Sequence, residues 1–281
     1  MKFKISLILI LLASVAGCAD LNVKDEALAR AIASDSRSEA FSQRDNARHP
    51  QQVLEFFAIR PDMAVAEIWP SAGWWSEILA PYLKDRGSYY AVGFSLTAKR
   101  TPKWRKNMAR QLIDTFKQNP DQYGAAIVTS LSVPEDTEIA PPGSLDMVLT
   151  FRNVHNWLKG DYDAGVFQAM YAALKPGGIL GLVEHRAPED FSIEYMKLSG
   201  YVTEAYVIKA ARAAGFELLE KSEINANPKD TKDYPAGVWS LPPSLRACGV
   251  LDDPAEAEQC REKYRAIGES DRMTLKFIKP V

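Results

Sequence analysis

Short apolar runs alternate with longer amphipathic stretches along residues 63–224, and one further apolar run closes the chain. The apolar runs predict β-strands at 63–68, 89–94, 125–129, 145–151, 179–184, 216–224 and 273–278. Between them, apolar residues recur at helical spacing in 75–83, 101–119, 166–174 and 203–214. This alternation favours an α/β fold with a doubly wound, mostly parallel sheet and helices on both faces.

Two stretches fall outside the alternation. Residues 18–62 predict a short tether followed by helices, one at 25–33 and a second that begins at Pro50. Residues 225–271 contain prolines and two cysteines but no strong periodicity, which is typical of an added segment. We therefore expect one α/β domain at 63–281, with an N-terminal helical extension and an insertion at about 225–271.

The first residues have the features of an export signal. Lys2 and Lys4 precede an apolar run at 7–15 that is too short to span a bilayer. The run ends in Val15-Ala16-Gly17-Cys18, which resembles a bacterial lipobox. This predicts a signal peptide at 1–17, a lipid anchor on Cys18 and a periplasm-facing position in the cell envelope. An ordinary secretory signal with a coincidental cysteine is the alternative.

Charge and cysteine content narrow the expected partners. The chain carries 34 Lys and Arg against 36 Asp and Glu, a formal charge of −2, and loss of Lys2 and Lys4 with the signal would make it −4. Without a basic excess we expect a small-molecule substrate and no nucleic acid.

Cys248 and Cys260 predict a disulfide in an exported protein. Two free thiols are the alternative.

Polar residues gather after the fourth and fifth predicted strands, where parallel sheets hold their ligands. They are Arg152, Asn153, His155, Asn156, Glu184 and His185. We predict that His155 is a general base near neutral pH, with His185 and Glu184 as the second choice, while the others orient a polar substrate. Structural hydrogen bonding is the alternative for each histidine.

The third histidine, His49, follows Arg48 just before the helix that leads into the first strand, so both can fold over the same edge. His49, His155, His185 and Glu184 are suitable metal ligands in type. No two of these histidines share a local ligand spacing, so we expect no metal. A metal-dependent enzyme is kept as an alternative.

The order of elements and three motifs resemble the class I S-adenosylmethionine-dependent methyltransferases, which are Rossmann-like. The motifs are the acid and loop at 67–73, the strand at 145–150 with its polar loop, and the turn at 174–178. The resemblance implies a seven-stranded sheet whose last strand is antiparallel. Glu67 to Pro70, together with Arg152 to Trp157, is similar to a narrower group of exported, predicted methyltransferases.

The resemblance implies S-adenosylmethionine as cofactor. The family loop reads acid-x-Gly-x-Gly-x-Gly, which places Glu67 as the acid and Trp69, Ser71 and Gly73 at the glycine positions. Only the last glycine is kept, and Ser95 stands near the place of the family's ribose-binding acid. The expected cofactor-binding residues are therefore Glu67, Trp69, Pro70, Ser71, Gly73 and Ser95.

The expected function is methyl transfer in the cell envelope to an unknown small molecule. The lost glycines motivate an alternative, a non-catalytic ligand-binding lipoprotein on a degenerate methyltransferase fold. Fold alone cannot distinguish the two.

Overall fold

A seven-stranded mixed sheet forms the centre of the protein, in a computed structural model that describes residues 25–281. Its strands are β1 (Ala64–Ile68), β2 (Ser88–Phe94), β3 (Ile127–Leu131), β4 (Leu145–Phe151), β5 (Leu174–His185), β6 (Glu217–Ser222) and β7 (Arg272–Ile278). The order is β3-β2-β1-β4-β5-β7-β6; β1 to β5 are parallel, and β7 is antiparallel to both of its neighbours. The predicted fold class, with its antiparallel last strand, is confirmed.

Helices cover both faces of the sheet. They are α1 (Glu26–Ile32), α2 (Glu39–Ser42), α3 (Asp45–Arg48), α4 (Pro50–Phe56), α5 (Ser76–Leu83), α6 (Lys103–Gln118), α7 (Pro120–Tyr123), α8 (Val154–Lys159), α9 (Asp163–Ala173), α10 (Ile193–Ser199), α11 (Glu204–Ala213) and α12 (Pro254–Ile267). One buried cluster joins α1, α4, α5 and α6 to the sheet. The other joins α8, α9 and α11 to the opposite face. Apolar faces on both sides thus enclose the parallel strands, as such sheets require.

Three boundaries differ from the sequence-based expectation. Residues 152–160, predicted as a loop, contain α8, because Val154, Trp157 and Leu158 form a short apolar face that is fully buried. β5 begins at Leu174 and so includes the predicted turn. The 225–271 segment contains α12, whose apolar face is too small to give a strong period, since it buries only Ala257 and Tyr264.

The N-terminal helices are fastened to the domain beside the carboxyl edge of the sheet. The indole nitrogen of Trp74 donates a hydrogen bond to the carbonyl of Phe41 (2.9 Å). The backbone nitrogen of Ser38 donates to the carboxylate of Glu77 (3.0 Å). These contacts join the extension to the turn that opens α5, so the extension forms part of the wall of the site described below.

Cys248 and Cys260 form a disulfide, with their Cα atoms 5.5 Å apart. It connects the short 3-10 helix Arg246–Cys248 to α12, beside a small cluster that contains Leu241 and Tyr264. In the chain-entropy description, closing a loop of this length stabilises the fold by about 3 kcal/mol.

The predicted signal peptide and the lipid-bearing Cys18 lie outside the described residues. Within residues 25–281, no helix combines the length and the apolar character needed to cross a bilayer.

Candidate active site at the carboxyl edge of the sheet

A crevice lies where the strand order reverses between β1 and β4. One cavity of about 200 Å³ is bordered by the loops after these strands, and Arg48, Glu67, Trp69, Arg152, Asn153 and Asn156 contribute to its wall. A second cavity of about 420 Å³ lies towards the ends of β2 and β3. The two cavities share Trp69, Phe94 and Arg105, so these side chains divide the crevice.

The loop after β1 keeps a glycine-like backbone although most of its expected glycines are absent. The φ angle is +50° at Trp69, +60° at Ser71 and +86° at Gly73. These are the three positions at which the resembling family pattern has glycine. For a side-chain-bearing residue this left-handed region costs about 1–2 kcal/mol. Trp69 and Ser71 therefore adopt the backbone conformation that glycine favours, although side-chain-bearing residues disfavour a positive φ.

Packing of the Trp69 side chain explains how this backbone is held. The indole is 5% exposed and lies 4.6 Å from the ring of Phe94, centroid to centroid. Its nitrogen donates to the carbonyl of Leu131 (3.3 Å), and the guanidinium of Arg105 lies 4.7 Å from the ring centre. Trp69 thus fills the space between the ends of β1, β2 and β3.

Glu67 places a buried carboxyl at the floor of the smaller cavity. It is 2% exposed, and its Oε2 accepts hydrogen bonds from the hydroxyls of Tyr89 (2.5 Å) and Ser76 (3.2 Å). Burial raises the pKa of Glu67 to about 7, although these two hydrogen bonds oppose the increase. The group therefore changes charge near neutral pH.

The other residues expected to bind a cofactor have different surroundings. Pro70 and Ser71 border the smaller cavity. Gly73 forms a turn in which its nitrogen donates to the carbonyl of Pro70 (3.0 Å). Ser95 is buried, and its hydroxyl accepts a hydrogen bond from the nitrogen of Ala98 (3.2 Å), which ends the β2 strand in a local turn. A ligand-binding role for Ser95 stays a prediction.

The loop after β4 is joined to β1 by Asn153. Its side-chain amide donates to the carbonyl of Ile68 (2.8 Å) and to the hydroxyl of Thr150 (3.2 Å). The preceding residue, Arg152, has φ of +61°, and its backbone nitrogen donates to the carbonyl of Val183 (2.7 Å). Asn153 therefore fixes the loop, while the Arg152 side chain borders the cavity.

His155 and Glu184 form a buried pair. The Nδ1 of His155 lies 3.0 Å from Oε1 of Glu184, and the backbone nitrogen of His155 donates to Oε2 (3.1 Å). The amide of Asn156 donates to Nε2 of the same ring (2.9 Å), so the proton is on Nδ1 and Nε2 is the acceptor. Asn156 lines the smaller cavity and His155 does not, so Asn156 connects the accepting nitrogen to the cavity wall. An acid that orients a histidine in this way is typical of a general base.

His185 lies beside this pair, with its ring centre 5.3 Å from that of His155. Its Nδ1 is 2.6 Å from the hydroxyl of Ser270. Burial first, and then His155 and three nearby arginines, hold the pKa of His185 well below its usual value, so this ring is neutral. Trp239, from the 225–271 segment, packs edge-on against His155 at 5.9 Å and closes this side of the site.

His155, Glu184 and His185 also offer metal-ligand atoms that all lie within 4.8 Å of one another. Both oxygens of Glu184 accept hydrogen bonds, including one from the backbone nitrogen of His185 (2.7 Å). These bonds satisfy the carboxylate without a cation. His49 lies apart from this group, with its Nδ1 3.4 Å from the side-chain oxygen of Asn225. The geometry therefore favours an acid–base pair over the alternative of a metal centre.

Comparison with solved structures gives several likenesses. A SAM-dependent methyltransferase from Aquifex aeolicus aligns with 65% of this chain and 87% of its own, at 17% identity and a TM-score of 0.50. The cyclase SpnF aligns with 91% of this chain and 92% of its own, at 17% identity and a TM-score of 0.53. Phosphoethanolamine N-methyltransferase 2 from Haemonchus contortus, solved with S-adenosylhomocysteine, aligns with 82% of this chain and 52% of its own, at 16% identity and a TM-score of 0.50.

The chain has the fold of the class I methyltransferases. No protein-family profile matches the sequence, and no curated protein matches it significantly. Identities this low show a shared fold and no more, and one of the three structures is a cyclase. The side chains of the site, and not the methyltransferase fold alone, therefore determine what chemistry this protein can perform.

Several residues of the site were missed from the sequence. Tyr89 and Ser270 carry no signal, because a hydroxyl in an ordinary strand or loop is common. Glu269 and Trp239 lie in the 225–271 segment, for which the sequence indicated no role. A tryptophan and acids in a long segment without periodicity were the available hint, since such segments often contribute to function.

We expect Glu67 to make stability depend on pH. Because its folded-state pKa is about 7 against an ordinary 4.5, the folded protein binds the proton more tightly than the unfolded chain. The free energy of unfolding should therefore fall, relative to that of Glu67→Gln, by on the order of 3 kcal/mol as pH rises from about 4.5 to 7. Urea unfolding of both proteins across this range checks it. Parallel curves for the two proteins would show that Glu67 is ionised throughout.

Proposed function

We propose that this protein is a class I S-adenosylmethionine-dependent methyltransferase that acts on a small molecule, with His155 as general base. The observation that carries the proposal is the His155–Glu184 pair at the crevice of a methyltransferase fold. A non-catalytic role does not require a buried acid that orients a histidine whose accepting nitrogen is bonded to a residue of the cavity wall.

The residues of the smaller cavity fit the amino-acid end of the cofactor. Glu67, ionised above about pH 7, would hold an ammonium group, and a guanidinium of Arg48 or Arg152 would hold a carboxylate. The left-handed loop at Trp69 to Gly73 keeps the backbone shape that allows close approach of a ligand. When bound, the cofactor supplies an electrophilic methyl group.

The chain itself supplies positioning and proton removal. Nε2 of His155 accepts the proton of an O, N or S nucleophile, and Glu184 stabilises the imidazolium that forms. Asn156 donates to the same nitrogen in the free protein, so a substrate proton must replace this hydrogen bond. Trp239 covers one side of the His155 ring.

Donor binding tests the proposal. Calorimetry with S-adenosylmethionine and S-adenosylhomocysteine should give saturable binding of one molecule per chain. Glu67→Gln should weaken S-adenosylmethionine binding roughly 10- to 100-fold at pH 8, because a charge-assisted hydrogen bond contributes about 1.5–3 kcal/mol. Glu217→Gln, an exposed change on β6, is the matched control. Absence of binding at millimolar ligand would remove the methyltransferase proposal.

The base assignment gives a separate prediction. Transfer of labelled methyl groups from S-adenosylmethionine to small molecules of a cell extract should fall about 10²- to 10⁴-fold in His155→Ala. Methyl transfer by Glu184→Gln should fall by a similar factor, and the affinity for S-adenosylmethionine should be unchanged in both variants. Added imidazole should partly restore His155→Ala but not Glu184→Gln. His49→Asn, whose side chain tolerates the left-handed φ of +49°, is the histidine control. Full activity in His155→Ala would contradict the assignment.

The location in the cell envelope is part of the same proposal and is supported by the sequence at 1–18. A basic start, an apolar run and a lipobox-like ending before Cys18 favour export and a lipid anchor. In a bacterial host, the protein should fractionate with membranes and incorporate labelled fatty acid, whereas Cys18→Ser should incorporate none. An uncleaved protein in the cytoplasm would contradict this.

A further inference from the structure

Four guanidinium groups surround one carboxylate at the edge of the crevice. The Nη2 of Arg44 lies 2.6 Å from Glu269, the Nε of Arg48 lies 3.4 Å from each of its oxygens, and the Nη1 of Arg272 lies 3.3 Å away. Arg152 is the fourth: it is not paired with Glu269, but it is near enough for its charge to lower the pKa of that carboxyl. Burial opposes ionisation of Glu269, but these four cations lower its pKa to about 2. Positive charge is thus in excess over the acid that it surrounds.

Two of these guanidinium groups lie at the cavity with unused donors. Arg48 is 3% exposed, and its Nη2 is buried without a hydrogen-bond partner among the described residues. The Arg152 guanidinium likewise makes no hydrogen bond or ion pair within residues 25–281. Both side chains border the smaller cavity. Arg105, the third arginine of this wall, donates from Nη1 to the hydroxyl of Tyr162 (3.0 Å), while its buried Nε has no partner among the described residues.

This arrangement is costly unless an anion is bound. Burial, followed by the charge of Arg152, lowers the pKa of Arg48 to about 8. Burial also lowers the pKa of Arg152. Buried charges are normally paired and hydrogen-bonded, so unused guanidinium donors at a cavity indicate a ligand with acceptor oxygens. The planar fork of arginine suits carboxylate and phosphate.

The cofactor of the proposed function cannot balance this charge alone. S-adenosylmethionine carries a sulfonium, an ammonium and one carboxylate, so it brings a net positive charge to the site. Its single carboxylate can neutralise one guanidinium, and the second stays unpaired. We propose that Arg152 binds a carboxylate or phosphate group of the methyl acceptor, which leaves Arg48 for the carboxylate of the cofactor. The acceptor is therefore an anionic small molecule. The identification of this anion as the methyl acceptor rests on the proposed function. The anion site itself is inferred from the arginines alone.

Arg152 also lies in the right part of the chain for this role. It is followed by Asn153, which is fixed to β1, and by His155, the proposed base. An anion on Arg152 would hold the acceptor in the same loop that removes its proton. Positioning of this kind lowers the barrier by restricting the reacting groups to a productive geometry.

Calorimetry with inorganic phosphate and with malonate tests the site, first on the free protein and then with saturating S-adenosylhomocysteine. We expect at least one of the two anions to bind both the free protein and its complex with S-adenosylhomocysteine. The anion that binds more tightly shows whether the site prefers phosphate or carboxylate. Arg152→Gln should weaken that binding at least tenfold. Arg60→Gln, an exposed arginine that pairs with Asp62, should change it less than twofold.

Two results would overturn the inference: neither anion binds the wild-type protein, or Arg152→Gln binds as well as wild type. Competition between S-adenosylhomocysteine and the anion would also overturn it, since the arginines would then belong to the cofactor's own carboxylate. Arg152→Lys, which keeps the charge but not the fork, guards against loss of folding and should give intermediate affinity. Failure of S-adenosylhomocysteine to bind would refute the proposed function while the anion result still stands.

Discussion

Parallel pairing of β1 with β4 is the constraint on which the site depends. Both strands end at the same edge of the sheet, but the chain after β1 enters α5 on one face and the chain after β4 enters α8 on the other. The two loops must diverge, and the space between them is the crevice. The side-chain amide of Asn153 lies at the base of this crevice, where it donates a hydrogen bond to the carbonyl of Ile68 and joins the two loops.

The same rule explains what could be predicted from the sequence. Phe151 pairs with Val183, so the residues that follow β4 and those that end β5 emerge side by side. Sequence analysis could therefore bring His155 and Glu184 to one edge once the strands were assigned from their apolar runs. It could not supply their contact, because the hydrogen bond requires the helical turn of α8. That turn is too short to be distinguished from a loop by periodicity.

The cluster of arginines around Glu269 could not be predicted from local sequence patterns. Arg44 and Glu269 are 225 positions apart and meet only because the N-terminal extension and the start of β7 both reach the carboxyl edge. The polar, arginine-rich stretch before Pro50 was visible in the sequence, and the acid that Arg44 and Arg48 share was not. Removing Glu269 would leave buried guanidinium groups without their common counter-charge, a change that is strongly destabilising for buried ion pairs.

The Trp69 position is the clearest departure from the methyltransferase pattern, and its physical cost argues against simple decay of the site. A left-handed tryptophan costs about 1–2 kcal/mol locally, whereas full burial of a large aromatic side chain contributes a few kcal/mol. The contacts of Trp69 with Phe94 and Leu131 therefore offset the strain while the backbone keeps the form that glycine would give it. Random loss of glycines in an unused loop would release that backbone to an unstrained conformation. The strain is instead held by packing. What the tryptophan changes is the shape of the crevice, because it divides the crevice into two cavities, with Glu67, Arg48 and Arg152 in the wall of the smaller one.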